Sequence, residues 1–548
     1  MQGMMQDWPM LCHRIIEHAA RQHGARRIVT RSVEGPIEVT DYAQLHQLAL
    51  RISKRLSADG IGFGDRVGTL AWSTARHLAC WYGIAGLGAV YQPVNPRLFP
   101  EQIAYIINDA KDRILLVDIS FVPLLEGVAD RLTGVERYVV LTDRAHMPQT
   151  TLKNAVCFED WLDGVDADFA WGRFDENTAV TLTYTSGTTG QPKGVVYSHR
   201  SVNLMSLTGC APDMYAFSSH DVVLQVIPMS HANGWSWPFS APMTGAGLVF
   251  PGARLDAASL VELLVDEHVT MSGGVPTVWQ SILAQLASTG QRLPDLRRVY
   301  IGGSACSRAM LEEFRSVHGV EVRAGFGMTE MGPMSAVGSL LPETAALPPE
   351  QEIAIRQTQG RPPYLVEFRL VDDAGKVQPW DGLSQGHLRA RGPCIVQAYY
   401  GQMPGSALDE DGFFDSGDIA TIDRNGYVHL TDRAKDLVKS GGEWISSIDL
   451  ENWAASFPGV QEAAVVGVAH PKWDERPLLL LVAKPGVALD KDAVLAFLGE
   501  RVAKWWLPDD VVMVSEIPHT ATGKINKVTL RQRYAAHYAA PTRLSLDA

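Results

Sequence analysis

From Tyr184 to Gly194 the chain reads Tyr-Thr-Ser-Gly-Thr-Thr-Gly-Gln-Pro-Lys-Gly, a stretch dense in hydroxyls and glycines with a single lysine. Glycines let a backbone turn its N–H groups toward an anion, and threonine and serine hydroxyls add donors. Lys193 supplies a positive point charge suited to outer phosphates. The spacing is not that of the GxxxxGK[ST] loop, because Gly194 follows the lysine where that motif needs Ser or Thr. A flexible surface loop with a Pro-Lys turn is the plain alternative, and the density of hydroxyls and glycines argues against it. The chemistry indicated is the binding of phosphates.

Such a loop needs elements to hold it. An apolar strand, Ala179–Tyr184, leads into it. From about residue 40 to about residue 320, helical patterns alternate with short apolar strands, as in α/β units. Ile114–Asp118 and Tyr138–Thr142 read as buried parallel strands, residues 257–267 as a helix capped by Asp256, and Val299–Ser304 as a strand running into a glycine turn. Ligands sit at such strand ends in open parallel sheets. Beyond about residue 360 the pattern changes to period two. Val366–Val371 alternates, and Asp418–Asp423 and Tyr427–Thr431 flank Arg424-Asn425-Gly426, a hairpin signal. Antiparallel sheet, or a small barrel, is expected there. After Asp432 come a helix near Asp449–Ser456, strands at Glu462–Val468 and Leu478–Val482, and a helix at Asp490–Trp505.

Bulk properties limit the function. At 548 residues the chain exceeds one ordinary core, so two or more domains are expected. With 46% hydrophobic and 20% charged residues it is a globular chain, not a disordered one. The balance of 48 Lys+Arg against 61 Asp+Glu, a net charge of -13, argues against nucleic-acid binding. Six dispersed cysteines (Cys12, Cys80, Cys157, Cys210, Cys306, Cys394) suit a reducing compartment better than a disulfide framework or a zinc site. Met1–Asp7 lacks the features of a signal peptide, and the apolar run Leu78–Tyr91 is too short to span a bilayer. A cytoplasmic location is expected.

The Tyr184–Gly194 segment resembles the phosphate loop of the ANL superfamily: acyl-CoA synthetases, adenylation domains and firefly luciferase. The resemblance runs in register over nearly the whole chain. It is most similar to bacterial medium- and long-chain fatty acyl-CoA ligases and 3-methylmercaptopropionate-CoA ligases. That resemblance implies an α/β chain: a large N-terminal domain, residues 1–431, of mixed and parallel sheets flanked by helices plus a small antiparallel sheet or barrel, and a small mobile α+β C-terminal domain, residues 432–548, hinged near Lys435. It implies ATP, Mg²⁺ and coenzyme A as cofactors, a small carboxylic acid as substrate, and a homodimer, with no nucleic acid and no transmembrane segment.

The same resemblance assigns residues. Thr185, Ser186, Gly187, Thr188, Thr189, Gly190 and Lys193 become the phosphate set. The segment Gly325-Phe326-Gly327-Met328-Thr329-Glu330 looks like the adenine and magnesium motif, its glycines letting a flat base lie on the backbone. Glu330, with Thr185, is the implied Mg²⁺ ligand, since a hard carboxylate oxygen suits that ion. Asp418 and Arg433 match the pair that reaches the ribose, and Gly303 and Ser304 a further turn on the nucleotide. Lys524, in Thr522-Gly-Lys-Ile-Asn-Lys527, resembles the lysine that drives adenylation by bridging the attacking carboxylate and the α-phosphate. Lys527 is expected to be ordinary solvent-exposed decoration. Lys439-Ser-Gly441-Gly442-Glu443-Trp444-Ile445 looks like the loop that enters for thioester formation, its glycines passing the pantetheine arm.

For the acid, Pro228–Trp235 resembles the segment that brings a histidine, His231, to the acyl carbonyl, and Trp235 matches an aromatic gate. Trp237, Gly302, Pro333 and Met334 are expected as walls of an apolar pocket. Here the chain departs from its relatives: Ser230 replaces a usual phenylalanine, Ala232 and Gly234 replace the commoner Val and Ala, and two tryptophans lie close together. The acid's chain length therefore does not transfer. The activity implied is an AMP-forming acid–thiol ligase making acyl-CoA through acyl-AMP from a medium-chain fatty acid or similar acid. The rivals are loading of a separate carrier protein, a luciferase-like oxygenase, and a nucleotide-binding regulator without catalysis. The last would lack Lys524, Glu330 or Asp418, and all are present.

Overall fold

Short, β-branched apolar runs fold into parallel strands because both of their faces are buried. Ile114–Val117 and Arg137–Val140 pair in parallel, with Leu115 opposite Tyr138. The computed structural model describes residues 1, 3–185, 191–433, 435–440, 443–520 and 524–538, with the side chains of 443 and 444 excepted. Among these residues the strands form four sheets. In the seven-stranded sheet, Ala179–Thr185 and Lys193–Ser198 close an antiparallel hairpin at one edge, with Thr185 opposite Lys193. An eight-stranded sheet has parallel strands through its middle, among them Met271–Gly274, Arg298–Ile301 and Glu321–Phe326 in adjacent places.

Helices cover these sheets. Asp256 caps Ala257–Asp266 by accepting from the Ser259 N–H at 2.9 Å. The apolar run near Leu78 forms the buried helix Ala75–Gly86 and the strand Val90–Pro93. No helix among the described residues is long and apolar enough to cross a membrane.

The period-two region is an antiparallel sheet of four strands, in the order Glu367–Val371, Gly386–Arg391, Phe414–Ile422, Val428–Arg433. It is an open sheet and not the barrel that was the alternative, since its outer strands do not pair with each other. Its hairpin turns at Gly426, with φ of 86°, and the Asp423 carboxylate accepts from the N–H groups of Asn425 and Tyr427. The last strand runs past residue 431 to Arg433, so it carries a site residue across the expected domain boundary.

The C-terminal part has its own core, built by Val465, Leu479, Leu481, Leu450 and Leu498. A long hairpin, Val460–His470 with Asp474–Ala483, carries Asp510–Met513 in parallel beside it. Helices Ser447–Ala455, Lys491–Gly499 and Lys527–Tyr534 pack around the sheet. The helix expected to run from Asp490 to Trp505 is shorter. Asp490 is its N-cap, it stops at Gly499, and Lys504–Trp506 is a separate 3₁₀ turn. Glycine is a poor helix residue, and the chain turns after it.

Candidate active site

Where strand Glu321–Phe326 leaves its sheet, the chain folds back on itself. A Cβ at Gly327 would lie 2.5 Å from the Pro333 carbonyl oxygen, so only glycine permits this return. The fold-back brings Gly325, Phe326, Met328 and Thr329 to the wall of a cavity of about 360 Å³ together with Pro333 and Met334. The buried carboxylate of Glu330 opens into the same space. Its Oε1 accepts from the Tyr399 hydroxyl at 3.2 Å, and the Thr329 carbonyl accepts from Tyr197 Oη at 2.5 Å.

The antiparallel hairpin supplies a second wall. Asp418 and Arg433 are cross-strand partners, and Arg433 Nε lies 2.7 Å from Asp418 Oδ1. Asp418 is 3% exposed, yet its Oδ2 has no hydrogen-bond partner among the described residues. A buried carboxylate oxygen left in this way suits a ligand's hydroxyl donors. Burial raises the Asp418 carboxyl above its usual range, against the opposing pull of Arg433, Ser416 and Lys524.

Lys524 reaches the cavity from the C-terminal part. His519 and Ile525 form an antiparallel bridge, and Thr520 donates its N–H to the Lys524 carbonyl at 2.7 Å. Lys524 Cε comes within 3.9 Å of where a Cβ on Gly303 would be. Burial lowers its pKa below the ordinary lysine value, helped by Arg433, while Asp418 and Glu330 oppose the shift. Three segments distant in sequence therefore bring charges to one volume: Glu330, Lys524 and Arg433, the last ion-paired with Asp418, which does not itself line the cavity. Such an arrangement can hold a nucleotide and neutralise charge gathering on a phosphate.

His231 and Trp235 line the cavity as well. His231 precedes a left-handed turn that contains Trp235: Ala232, Asn233, Gly234, Trp235 and Ser236 all have φ between 40° and 66°. A left-handed conformation costs roughly 1–2 kcal/mol at each non-glycine residue, so the turn needs outside support. The buried Gln225 gives it, donating from Nε2 to the carbonyls of Ile227 at 2.7 Å and Gly234 at 3.2 Å. The turn lays the Trp235 ring against Gly302, with Cη2 at 3.0 Å from a would-be Cβ. Burial, and then the Lys524 charge, push the His231 imidazole down to about 4, so it is neutral at pH 7.

Several expectations need correction or completion. Trp237 is fully buried and does not line the cavity; it lies one layer behind, against Tyr215 and Tyr300, which do. Ser304 is exposed and does not line it, whereas Gly302 and Gly303 do. Lys527 is not surface decoration: it is buried, with Nζ 2.8 Å from Glu451 Oε1 and a further hydrogen bond to Ser447 Oγ. Thr185 lines the cavity, while Ser186, Gly187, Thr188, Thr189 and Gly190 lie outside the described residues. Gly441 and Gly442 lie outside them too. Lys439 stands opposite Trp444, and Ser440 opposite Glu443, in a short hairpin, and Lys439 is not part of the cavity wall.

Tyr399 was not singled out from the sequence. Its hydroxyl bonds Glu330, and the Lys193 ammonium lies 4.8 Å from its ring centroid, so one side chain joins the lysine of the phosphate loop to the Glu330 carboxylate. The adjacent Tyr400 N–H donates to the Gly194 carbonyl at 2.8 Å, which anchors the loop's end. The paired tyrosines before Gly401 were the only signal.

The AMP-binding enzyme family matches residues 16–400, and the AMP-binding enzyme C-terminal domain matches residues 449–524. The 3-methylmercaptopropionyl-CoA ligase of Ruegeria pomeroyi is 45% identical over 534 residues, covering 97% of this chain and 99% of that protein. The long-chain-fatty-acid–CoA ligase of Thermus thermophilus is 44% identical over 525 residues, 95% of each chain. The crystal structure of an anthranilate CoA ligase in complex with anthranoyl-AMP superposes with a TM-score of 0.86 at 24% identity, covering 98% of this chain and 100% of that one.

Proposed function

The chain belongs to the AMP-binding enzyme family and is an AMP-forming acyl-CoA ligase; from that premise we propose how its residues divide the work. The observation that carries the proposal is the convergence of Lys524, Glu330 and Arg433 on one cavity, with the buried Asp418 carboxylate ion-paired to Arg433. ATP enters with its adenine on the Gly325–Met328 backbone and its ribose hydroxyls donating to Asp418, whose Oδ2 is otherwise unmatched. Lys193 and the loop from Thr185 take the outer phosphates. Glu330 and Thr185 fit a magnesium ion, which takes one or two carboxylates and leaves its other positions to phosphate and water; bound there, it would neutralise phosphate charge.

The acid's carboxylate oxygen attacks the α-phosphorus, the bond to the β-phosphate oxygen breaks, and pyrophosphate leaves. Lys524 lies beside both reacting groups and offsets the negative charge of the five-coordinate state. His231, neutral, orients the acyl carbonyl. The residues after about 432 then turn about Lys435, withdrawing Lys524 and bringing in the segment from Lys439 to Ile445, a use of domain motion to separate two steps. The coenzyme A thiol attacks the acyl carbon of the mixed anhydride, its proton leaves, and AMP departs.

All six cysteines are free, which supports a reducing, cytoplasmic setting. A homodimer is proposed from the family resemblance alone, and sedimentation would test it. The experiment for the function is pyrophosphate release from ATP and Mg²⁺ across a panel of carboxylic acids, with and without coenzyme A. Acid-dependent turnover that requires coenzyme A is expected. Acid-dependent release indifferent to coenzyme A would point to a carrier protein as the acceptor and overturn the reading.

A further inference from the structure

Strand Arg298–Ile301 floors the acid side of the cavity, and strand Met271–Gly274 pairs beside it. Along Arg298–Ile301 and into Gly302, alternate residues share a face, so Tyr300 and Gly302 point the same way. Gly302 lies under the Trp235 ring, next to Gly303 and Lys524. Tyr300 is two residues further from Lys524, about 7 Å along the strand. On the adjacent strand, Gly273 is the direct partner of Tyr300. The missing side chain of Gly273 is what admits the Trp237 indole: a Cβ there would meet Trp237 Cη2 at 2.8 Å and Cζ2 at 2.9 Å. Trp237 stands edge-to-face on Tyr300 at 5.6 Å and on Tyr215 at 5.3 Å, and those two rings meet each other at 4.9 Å. The Tyr300 hydroxyl is tied by donation to the Tyr215 carbonyl at 2.7 Å. The cavity thus ends on two tyrosine rings that Trp237 holds forward.

We propose that Trp237, slotted over Gly273, is a positioning residue that sets the depth of the acid pocket and restricts the enzyme to acids with short or compact apolar tails. The inference deepens the acyl-CoA ligase reading and rests on it. The Tyr300 and Tyr215 rings, packed on each other and backed by Trp237, stand in the way of a long alkyl tail. Shrinking Trp237 lets the tyrosine rings retract into the vacated space and lengthens the pocket. Adding a methyl at Gly273 drives the indole toward Tyr300 and shortens it. The two substitutions act on one contact and must shift chain-length preference in opposite directions.

The test measures kcat/KM for straight-chain acids from propionate to dodecanoate in wild type, Trp237→Leu, Trp237→Phe and Gly273→Ala, with circular dichroism to verify folding. Wild type is expected to favour butyrate or hexanoate over dodecanoate. The decanoate-to-butyrate ratio should rise roughly tenfold or more in Trp237→Leu, the scale on which pocket-filling methylenes are discriminated. It should rise less in Trp237→Phe and fall in Gly273→Ala. A wild type that favours dodecanoate, folded Trp237 variants with an unchanged ratio, or shifts of one sign throughout would overturn the proposal. No pyrophosphate release with any acid would instead defeat the ligase reading on which it rests.

Discussion

Asp418 and Arg433 illustrate how much a single residue can and cannot reveal in sequence. Each alone reads as a surface turn or a solvated ion pair, and the family motif was needed to select them; the structure adds that they face one another across the hairpin. Asp418→Asn keeps the shape and removes the charge opposite Arg433. The expected cost is about 1.5–3 kcal/mol, read as a roughly ten- to hundredfold weaker ATP affinity by calorimetry; unchanged affinity would remove Asp418 from the nucleotide site. His231 gives a pH prediction. Its pKa lies at about 4 instead of 6.5, so it holds no proton near neutrality and gains one only as the pH falls toward that lower value. The KM for the acid should show no inflection near 6.5, and an inflection there that His231→Asn removes would contradict this assignment. Lys524 and Lys527 looked alike as C-terminal lysines. Their different burial partners, Asp418 and Glu330 for one and Glu451 for the other, are tertiary facts that no local pattern carries.

At the scale of elements, the parallel strands and the hairpin turn Arg424-Asn425-Gly426 were legible because burial and turn chemistry leave periodic signatures. The left-handed turn from Ala232 to Ser236 was not, because residues such as Ala, Trp and Ser carry no propensity for positive φ and the tertiary Gln225 brace helps hold them there. The network around Lys527 is the second such element. It joins helix Lys527–Tyr534 to helix Ser447–Ala455 through Glu451 and Ser447, and Ser447 N–H donates in turn to Asp432 Oδ2 at 2.8 Å. Removing one partner of a buried pair strands the other charge. Lys527→Met is therefore expected to destabilise the C-terminal part by about 3–5 kcal/mol, and adding Glu451→Leu should recover much of it. Urea unfolding would measure both; a single variant as stable as wild type would show the pair to be solvated.

At the scale of the whole molecule, the cavity is closed by segments on both sides of the expected boundary near residue 432. Strand Val428–Arg433 meets helix Ser447–Ala455 through Ser446 Oγ donating to the Thr431 carbonyl at 2.5 Å and through His429 Nε2 at 3.3 Å from Asp449 Oδ1. These contacts hold the arrangement in which Lys524 enters the cavity, and a turn about Lys435 would have to part them. Composition and period changes made the division of the chain readable, but not this arrangement, which depends on contacts between residues far apart in sequence. The central claim is that Lys524 serves one half of the reaction. The most direct measurement compares Lys524→Ala with wild type in two single-turnover assays: acyl-AMP formation from ATP and acid, and thioester formation from supplied acyl-AMP and coenzyme A. The account predicts that the first is abolished and the second largely retained. Equal loss of both would contradict it.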